Sequence, residues 1–170
     1  WQRKEPNLFE NLYTKFLPFE KIKLNAESYK WLEKNSRSNP DGLDLNWVYT
    51  DKEGKYYVLM SMWNNTTEDI KSGSGPSALS DITNLGIEVI SNKTHDIWKI
   101  KNIENPTKIS IPKLKFWTNE IGLTSNHYHP NEISAESISR LSISNSNNND
   151  ILPPTLKIKI EEWISSIPIV

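Results

Sequence analysis

The stretch that decides the fold is LDLNWVYTDKEGKYYVLMSMW, residues 43–63, in which two apolar segments flank a polar turn. The first segment alternates apolar and polar side chains, and a period of two predicts a strand with one face in solvent. The turn DKEGK then reverses the chain. The second segment, residues 56–63, is apolar on both faces apart from Ser61, which is typical of a strand at the centre of a sheet. The stretch therefore predicts a β-hairpin whose second strand is buried.

Two helices are predicted ahead of this hairpin. Asn7 is followed three residues later by Glu10, a spacing typical of a capping box, and apolar side chains then fall on one helical face until Pro18. Asn25 is placed to cap the second helix, which ends in the polar loop 35–42. The N-terminal quarter of the chain is therefore predicted to be mainly helical.

A third helix is predicted after the hairpin. Pro76 suits the first turn of a helix, because its missing N–H would be unpaired there in any case. Apolar side chains up to Leu85 give this helix a buried face, and Gly86 is a typical helix end. We therefore expect a helix over about 76–85.

More strands are predicted beyond Gly86. Residues 87–90 and 97–101 flank the polar turn NKTHD and form a second predicted hairpin. Extended segments at 108–111 and 114–117 are interrupted by prolines, which restrict them to the edges or ends of the sheet. The sheet is expected to finish there.

The C-terminal third begins with a segment of unusual composition. Residues 124–150 are rich in Ser and Asn with few large apolar side chains, so we expect a mobile loop at 142–150. The tail 153–168 fits either a helix or a strand, and Glu161 and Glu162 beside Trp163 favour a helix. The chain is thus predicted to be one α+β domain over residues 1–170, built on a mostly antiparallel sheet.

Composition excludes several classes of function. The chain of 170 residues contains no cysteine, so disulfides and thiolate chemistry are excluded. No apolar run approaches the ~18 to 20 residues that span a bilayer, so we expect a soluble protein with no membrane partner. The net charge of −1 means that any polyanion binding must come from a local patch. Because the chain opens at Trp1 without a leader, we expect a processed piece of a longer protein, with a cytoplasmic location favoured.

The strongest functional signal is a local excess of lysine. Residues 93–115 hold six lysines against Asp96 and Glu104, and six minus two gives +4. Strand periodicity places Lys99 and Lys101 on one face. The same periodicity places Lys113, Lys115 and Trp117 on a common face. Lys108 lies between these two groups in the sequence.

Lysines that flank an exposed tryptophan are the elements of a sheet that binds single-stranded nucleic acid, because ammonium groups neutralise phosphates and an indole stacks on bases. The leading interpretation is therefore a non-catalytic recognition domain that binds nucleic acid through residues 97–117, with no cofactor. An alternative is that edge-strand lysines only prevent aggregation and Trp117 belongs to the core. A second class of function is a glycan or small-ligand module whose surplus tryptophans line a groove.

Two weaker signals concern anions and metals. The segment KSGSGPS, residues 71–77, precedes the predicted third helix, so Lys71, Ser74 and Gly75 could hold an anion near its first turn. An ordinary flexible loop is the favoured interpretation of that segment. His127 and His129 lie two apart and could share a metal with an acidic neighbour, although a surface loop with incidental histidines is favoured and no metal is expected.

The predicted order of elements over residues 26–90, with Pro40-Asp41 just before the first hairpin strand, resembles the core layout of the PD-(D/E)xK nucleases. That resemblance implies an acidic residue and a lysine two apart on the second strand, which would hold a metal and position the attacking water. Here that strand contains VLMSMW and carries no charge, while Asp69-Ile70-Lys71 lies beyond it. The resemblance therefore implies an inactive relative.

Overall fold

The structure is a computed structural model that describes residues 6–37, 44–63, 82–92, 96–114, 121, 129–147 and 152–167. Over these residues the chain is an α+β fold. The helices are α1 (Pro6–Asn11), which continues as a π-helical segment (Leu12–Phe16), α2 (Ala26–Asn35), α3 (Pro130–Asn147) and α4 (Pro154–Ser165). The strands are β1 (Phe19–Lys21), β2 (Trp47–Thr50), β3 (Tyr56–Trp63), β4 (Ile82–Asn92), β5 (Ile97–Ile100) and β6 (Lys108–Ser110).

The strands form one sheet in the order β1-β2-β3-β4-β5, and each neighbouring pair is antiparallel. β6 pairs with the same side of β4 as β5 does, but at an earlier part of the strand. Both predicted hairpins are confirmed, because β2 pairs with β3 and β4 pairs with β5. The sheet is therefore antiparallel, as the alternation in the sequence indicated.

The two edges of the sheet approach each other through one short segment. Lys21 pairs with β2 at one edge, and Leu24 forms a parallel bridge with Trp98 of β5 at the other edge. The Trp98 N–H donates to the Lys23 carbonyl, and the Asn25 N–H donates to the Trp98 carbonyl, both at 2.8 Å. Three residues span at most about 11 Å, so the sheet must curl to bring its edges this close.

The curled sheet has an apolar core on each face. One, which we call the three-helix core, lies between the sheet and the helices α1, α3 and α4; its residues include Leu12, Phe19, Tyr49, Tyr57, Leu59, Ile133, Leu156, Ile160 and Trp163. The other, the α2 core, lies under α2 and includes Leu24, Leu32, Val48, Val58, Met60, Ile87, Val89, Trp98 and Ile100. β3 contributes to both cores, which confirms its predicted position at the sheet centre.

Helix α2 is fixed to β5 by polar contacts as well as by packing. The Asn25 side chain accepts a hydrogen bond from the Ser28 N–H at 2.8 Å, so Asn25 is the predicted N-cap. The buried Ser28 hydroxyl in turn accepts from the Ile100 N–H at 3.0 Å. Because β5 is otherwise an edge strand at this point, the serine supplies an acceptor that a neighbouring strand would have supplied.

Predictions of local structure around β2 and β4 need correction. Residues 82–85 are not the end of a helix but the start of β4, which pairs with β3 from Ile82 onward; residues 76–81 lie outside the described part. Gly86 is a strand residue, and an added Cβ there would lie 3.2 Å from Tyr57 Cβ. The predicted solvent face of β2 is interrupted, because Val48 packs in the α2 core, while Thr50 on the same face is half-buried.

The other two corrections concern the C-terminal half. Residues 142–147, predicted as part of a mobile loop, belong to α3, while 148–150 lie outside the described residues. The segment Ile111–Lys113 is a 3-10 turn, and residues 115–117 of the predicted last strand lie outside the described residues. The C-terminal helix is confirmed as α4, which buries Leu156, Ile160 and Trp163 along one side. None of the helices in the described ranges has the length and apolar character that crossing a bilayer requires.

Candidate functional site

The outward face of β5 and the residue that directly follows it carry the two lysines that strand periodicity placed together: Lys99 lies on β5, and Lys101 follows Ile100, with its N–H donating to the Glu88 carbonyl at 3.2 Å. Trp98 and Ile100 are buried in the α2 core, whereas Lys99 and Lys101 are exposed. This confirms the predicted alternation along β5. The two ammonium-bearing side chains therefore leave the sheet on the face opposite to α2.

A carboxylate lies within this face. Lys101 Nζ is 2.8 Å from Glu88 Oε1 on β4, and the Glu88 side chain is only 13 % exposed. The ion pair follows from the register. Val89 pairs with Ile100 in antiparallel strands, so Glu88, one residue before Val89, lies opposite Lys101, one residue after Ile100. Lys99 is opposite Ile90, whose side chain is 37 % exposed. The face is thus a lysine pair, one acidic partner and an exposed isoleucine.

On β3, next to Glu88, this face carries a buried side chain with a polar group. Tyr57 lies opposite Glu88 on β3 and is buried in the three-helix core. Burial, the nearby charges of Asp51 and Glu88, and a hydrogen bond to Asp51 raise the pKa of Tyr57 to about 12. Asp51 also accepts hydrogen bonds from the N–H groups of Glu53 and Lys55, both at 2.9 Å, and so holds the turn between β2 and β3. The Tyr57 hydroxyl is therefore a neutral donor at physiological pH.

Lys108 does not belong to the lysine pair. It lies opposite Ile87, which packs in the α2 core, whereas Lys99 lies opposite Ile90. Positions 87 and 90 differ by an odd number, so their side chains point to opposite faces of the sheet. Lys108 Nζ instead lies over the Trp31 ring of α2, 5.8 Å from its centroid. This cation–π pair was not predicted, since nothing in the sequence relates residues 77 positions apart.

The remaining members of the predicted lysine surface are Lys113, which the structure describes, and Lys115 and Trp117, which it does not. Lys113 is exposed on the 3-10 turn after β6, not on a strand; the turn begins at Ile111 and has Pro112 in its first turn. Lys115 and Trp117 lie outside the described residues. Among the members of the predicted set that the structure describes, Lys99 and Lys101 are the two that share a face.

Four tryptophans whose side chains the structure describes are Trp31, Trp47, Trp98 and Trp163, and they pack in or against the two cores. Trp47 and Trp163 are buried in the three-helix core, and Trp98 is buried in the α2 core. Trp31 is half-buried against the α2 core and carries Lys108 over its ring. The heavy use of tryptophan therefore serves mainly core packing at the described positions.

His129 is a buried core residue and not a free metal ligand. Its Nδ1 accepts a hydrogen bond from the Asn131 N–H, and its Nε2 lies 3.2 Å from the Asp44 carbonyl, to which it donates. Burial lowers the pKa of His129, an effect that exceeds the opposing influence of the Asp44 carbonyl and carboxylate. Both ring nitrogens are therefore occupied, and His127 lies outside the described residues.

The other candidate sites gain no support from the structure. Lys71, Ser74 and Gly75 of the predicted anion loop lie outside the described residues. Over the described ranges, no three His, Asp or Glu side chains are grouped so that they could hold a metal ion. The nuclease resemblance also loses part of its basis, because residues 82–85 are a strand antiparallel to β3 where that resemblance requires a helix.

Comparison with known proteins adds no family: no family model, no curated protein and no solved structure matches the chain. The chemistry of the site must therefore be argued from its geometry.

Proposed function

We propose that this domain is a non-catalytic recognition module that binds nucleic acid through the outward face of β5. The observation that carries the proposal is that Lys99 of β5 and Lys101, which directly follows the strand, are exposed, whereas Trp98 and Ile100 are held in the core. Two residues of extended chain span about 6.6 Å, so the backbone holds the origins of the two lysine side chains at a short and regular spacing. A pair of cations at such a spacing favours a ligand that is itself a row of anions.

The rigidity of β5 supports this proposal. One side of the strand is hydrogen-bonded to β4, and the other side is bonded to the segment of Leu24 and to the Ser28 hydroxyl. A backbone that is bonded on both sides is already ordered before a ligand arrives. Binding then pays for ordering the lysine side chains alone, which favours affinity.

The composition of the face indicates the kind of nucleic acid. Ile90 lies beside Lys99 and exposes apolar surface, on which an unstacked base can rest while the lysines contact phosphates. Neither lysine offers the planar fork that reads base edges in a bidentate manner. The proposed ligand is therefore single-stranded nucleic acid bound with little sequence preference.

The test is the salt dependence of binding to a fluorescent single-stranded oligonucleotide, followed by anisotropy. Removing Lys99 and Lys101 together by alanine substitution should weaken binding and lower the slope of log K against log salt by about 1.4, since each phosphate contact contributes about 0.7. The matched control replaces Lys30 and Lys34, two exposed lysines of α2 on the other side of the sheet, and should leave both quantities unchanged. Thermal unfolding of both variants shows that the fold is retained.

Two results would overturn the proposal. The first is an unchanged slope in the Lys99 and Lys101 double variant, which would place the contacts elsewhere. The second is equal weakening by the α2 control, which would mean that the ligand responds to total charge and not to the face of β5.

A further inference from the structure

A second inference concerns the N-terminus of α3, where a histidine occupies the N-cap position. Pro130 is the first residue of the helix, and the His129 carbonyl accepts hydrogen bonds from the N–H groups of Glu132 and Ile133, both at 3.0 Å. The His129 Nδ1 accepts from the Asn131 N–H at 3.2 Å. An N-cap side chain normally supplies an oxygen acceptor to this donor, and here an imidazole nitrogen does so.

This cap functions only in one protonation state. Nδ1 is an acceptor when the ring is neutral and protonated on Nε2, the tautomer that also donates to the Asp44 carbonyl. A proton on Nδ1 would face the Asn131 N–H, and the resulting positive charge would lie at the N-terminal end of the helix dipole. The lost hydrogen bond and the unfavourable charge both destabilise the position in which α3 packs against the rest of the domain.

The same contact joins α3 to the rest of the domain. Asp44 lies in the segment immediately before β2, so the Nε2 bond connects two parts of the chain that are 85 positions apart. Asn131 adds a second connection, because its side-chain oxygen accepts from the Tyr13 hydroxyl at 2.6 Å. Behind these contacts α3 covers the three-helix core with Ile133 and Leu141.

The charged groups around the His129 ring do not reverse its preference for the neutral form. The Asp44 carboxylate attracts an imidazolium, but its oxygens already accept hydrogen bonds from Asn46 and Trp47. Lys21 of β1 interacts with Asp44 and is paired with Glu10 of α1, while Glu132 lies on α3 itself. Burial of the ring outweighs the favourable charge of Asp44, which is why the neutral form is retained.

We propose that His129 is a pH-sensitive latch, whose protonation releases α3 from the segment before β2 and uncovers the three-helix core. Release makes the histidine accessible to water, where it binds a proton more readily than in the docked state. The opening of α3 therefore becomes more favourable as the pH falls below 6.5, the ordinary pKa of the side chain.

Hydrogen exchange measured by mass spectrometry tests the latch, with α2 as the internal reference. α2 is capped by the Asn25 amide, which does not titrate, so its protection reports the stability of the rest of the domain. After correction for the intrinsic exchange rate, protection of α3 should fall relative to α2 by up to about tenfold per pH unit below 6.5. A ratio of α3 protection to α2 protection that stays constant from about pH 8 to about pH 5 would overturn the proposal.

The variant His129→Asn separates titration from capping. An asparagine oxygen can accept from the Asn131 N–H as a standard N-cap, but it binds no proton in this pH range. The extra pH dependence of α3 should therefore disappear in this variant. A His129→Asn protein that keeps the wild-type difference between α3 and α2 would contradict the latch. Should the variant fail to fold, the wild-type comparison of the two helices still decides the question.

Discussion

Leu24 and Trp98 form a parallel bridge that joins the segment following β1 to β5, at the opposite edge of the sheet. The edge of β5 is therefore covered along its length: the Trp98 N–H and carbonyl bond to Lys23 and Asn25, and the Ile100 N–H bonds to the Ser28 hydroxyl. An open edge strand can pair with other chains, and this covering removes that possibility at β5. It also fixes the strand on which the proposed nucleic-acid contacts lie.

Replacing Ser28 with Ala should destabilise the fold by about 1 to 3 kcal/mol, because the buried Ile100 N–H would lose its acceptor. Urea denaturation followed by tryptophan fluorescence measures the loss. The matched control is Ser165→Ala, which removes an exposed hydroxyl that donates to the Glu161 carbonyl of the same helix. Equal effects of the two substitutions would show that Ser28 does not close the edge of β5.

The N-cap of α2 gives a second prediction. Asn25→Ala removes the acceptor of the Ser28 N–H and should cost about 1 kcal/mol, whereas Asn25→Asp keeps an oxygen in place and should cost much less. The main-chain bond from Asn25 to Trp98 is present in both variants, so the difference isolates the side chain. Circular dichroism during urea denaturation measures it, and indistinguishable stabilities would contradict the capping role.

Local signals in the sequence predicted the local structure well. The Asn25 cap can be predicted from a short polar side chain that precedes an apolar helical face. The common face of Lys99 and Lys101 can be predicted from the period of a strand. The two hairpins were predicted for the same reason, since a turn and its flanking segments are close in sequence. These features depend on residues that are near neighbours along the chain.

The errors arose where two local interpretations compete or where a distant contact decides. Ile82 and Leu85 are spaced three apart, which suits a helix, but pairing along the whole of β3 makes them strand residues. The serine-rich segment of α3 lacked a strong apolar pattern, yet its buried Ser134 and Ser137 donate to main-chain carbonyls one turn earlier. The helix is therefore determined by packing on the three-helix core and not by composition.

The candidate site could be predicted only within one strand. Whether Lys108 joins Lys99 depends on the registers of β5 and β6 against β4, and a shift of one residue moves a side chain to the other face. The Glu88 carboxylate beside Lys101 depends on the same register. Likewise, the role of His129 depends on Asp44, which the sequence gives no means to place beside it.

Tyr57 provides a prediction at alkaline pH. Its pKa is raised from 10.0 to about 12, so the hydroxyl stabilises the fold fully below pH 10 and this contribution is lost as the pH rises towards about 12. Tyr57→Phe should be less stable than the wild type at neutral pH by about 1 kcal/mol, because the hydrogen bond to Asp51 is lost. The stability gap should stay constant up to pH 10 and then narrow.

Urea denaturation of both proteins at a series of alkaline pH values measures this gap. Deprotonation of lysines destabilises the wild type and Tyr57→Phe alike, so it cancels in the comparison. A gap that persists unchanged to about pH 12 would show that the Tyr57 hydroxyl does not titrate as its surroundings indicate.

Glu88 gives the sharpest test of the proposed binding face, because its removal should increase affinity. The carboxylate holds Lys101 Nζ at 2.8 Å and places a negative charge on the face that also carries Lys99. Glu88→Gln frees the ammonium group and removes the repulsion of a phosphate, so binding to single-stranded nucleic acid should tighten by roughly two- to fivefold at low salt. Glu33→Gln, an equal change of charge on the exposed side of α2, is the control and should have no such effect. Tightening by both substitutions would indicate a response to net charge, and weakening by Glu88→Gln alone would mean that the ligand does not approach Lys101.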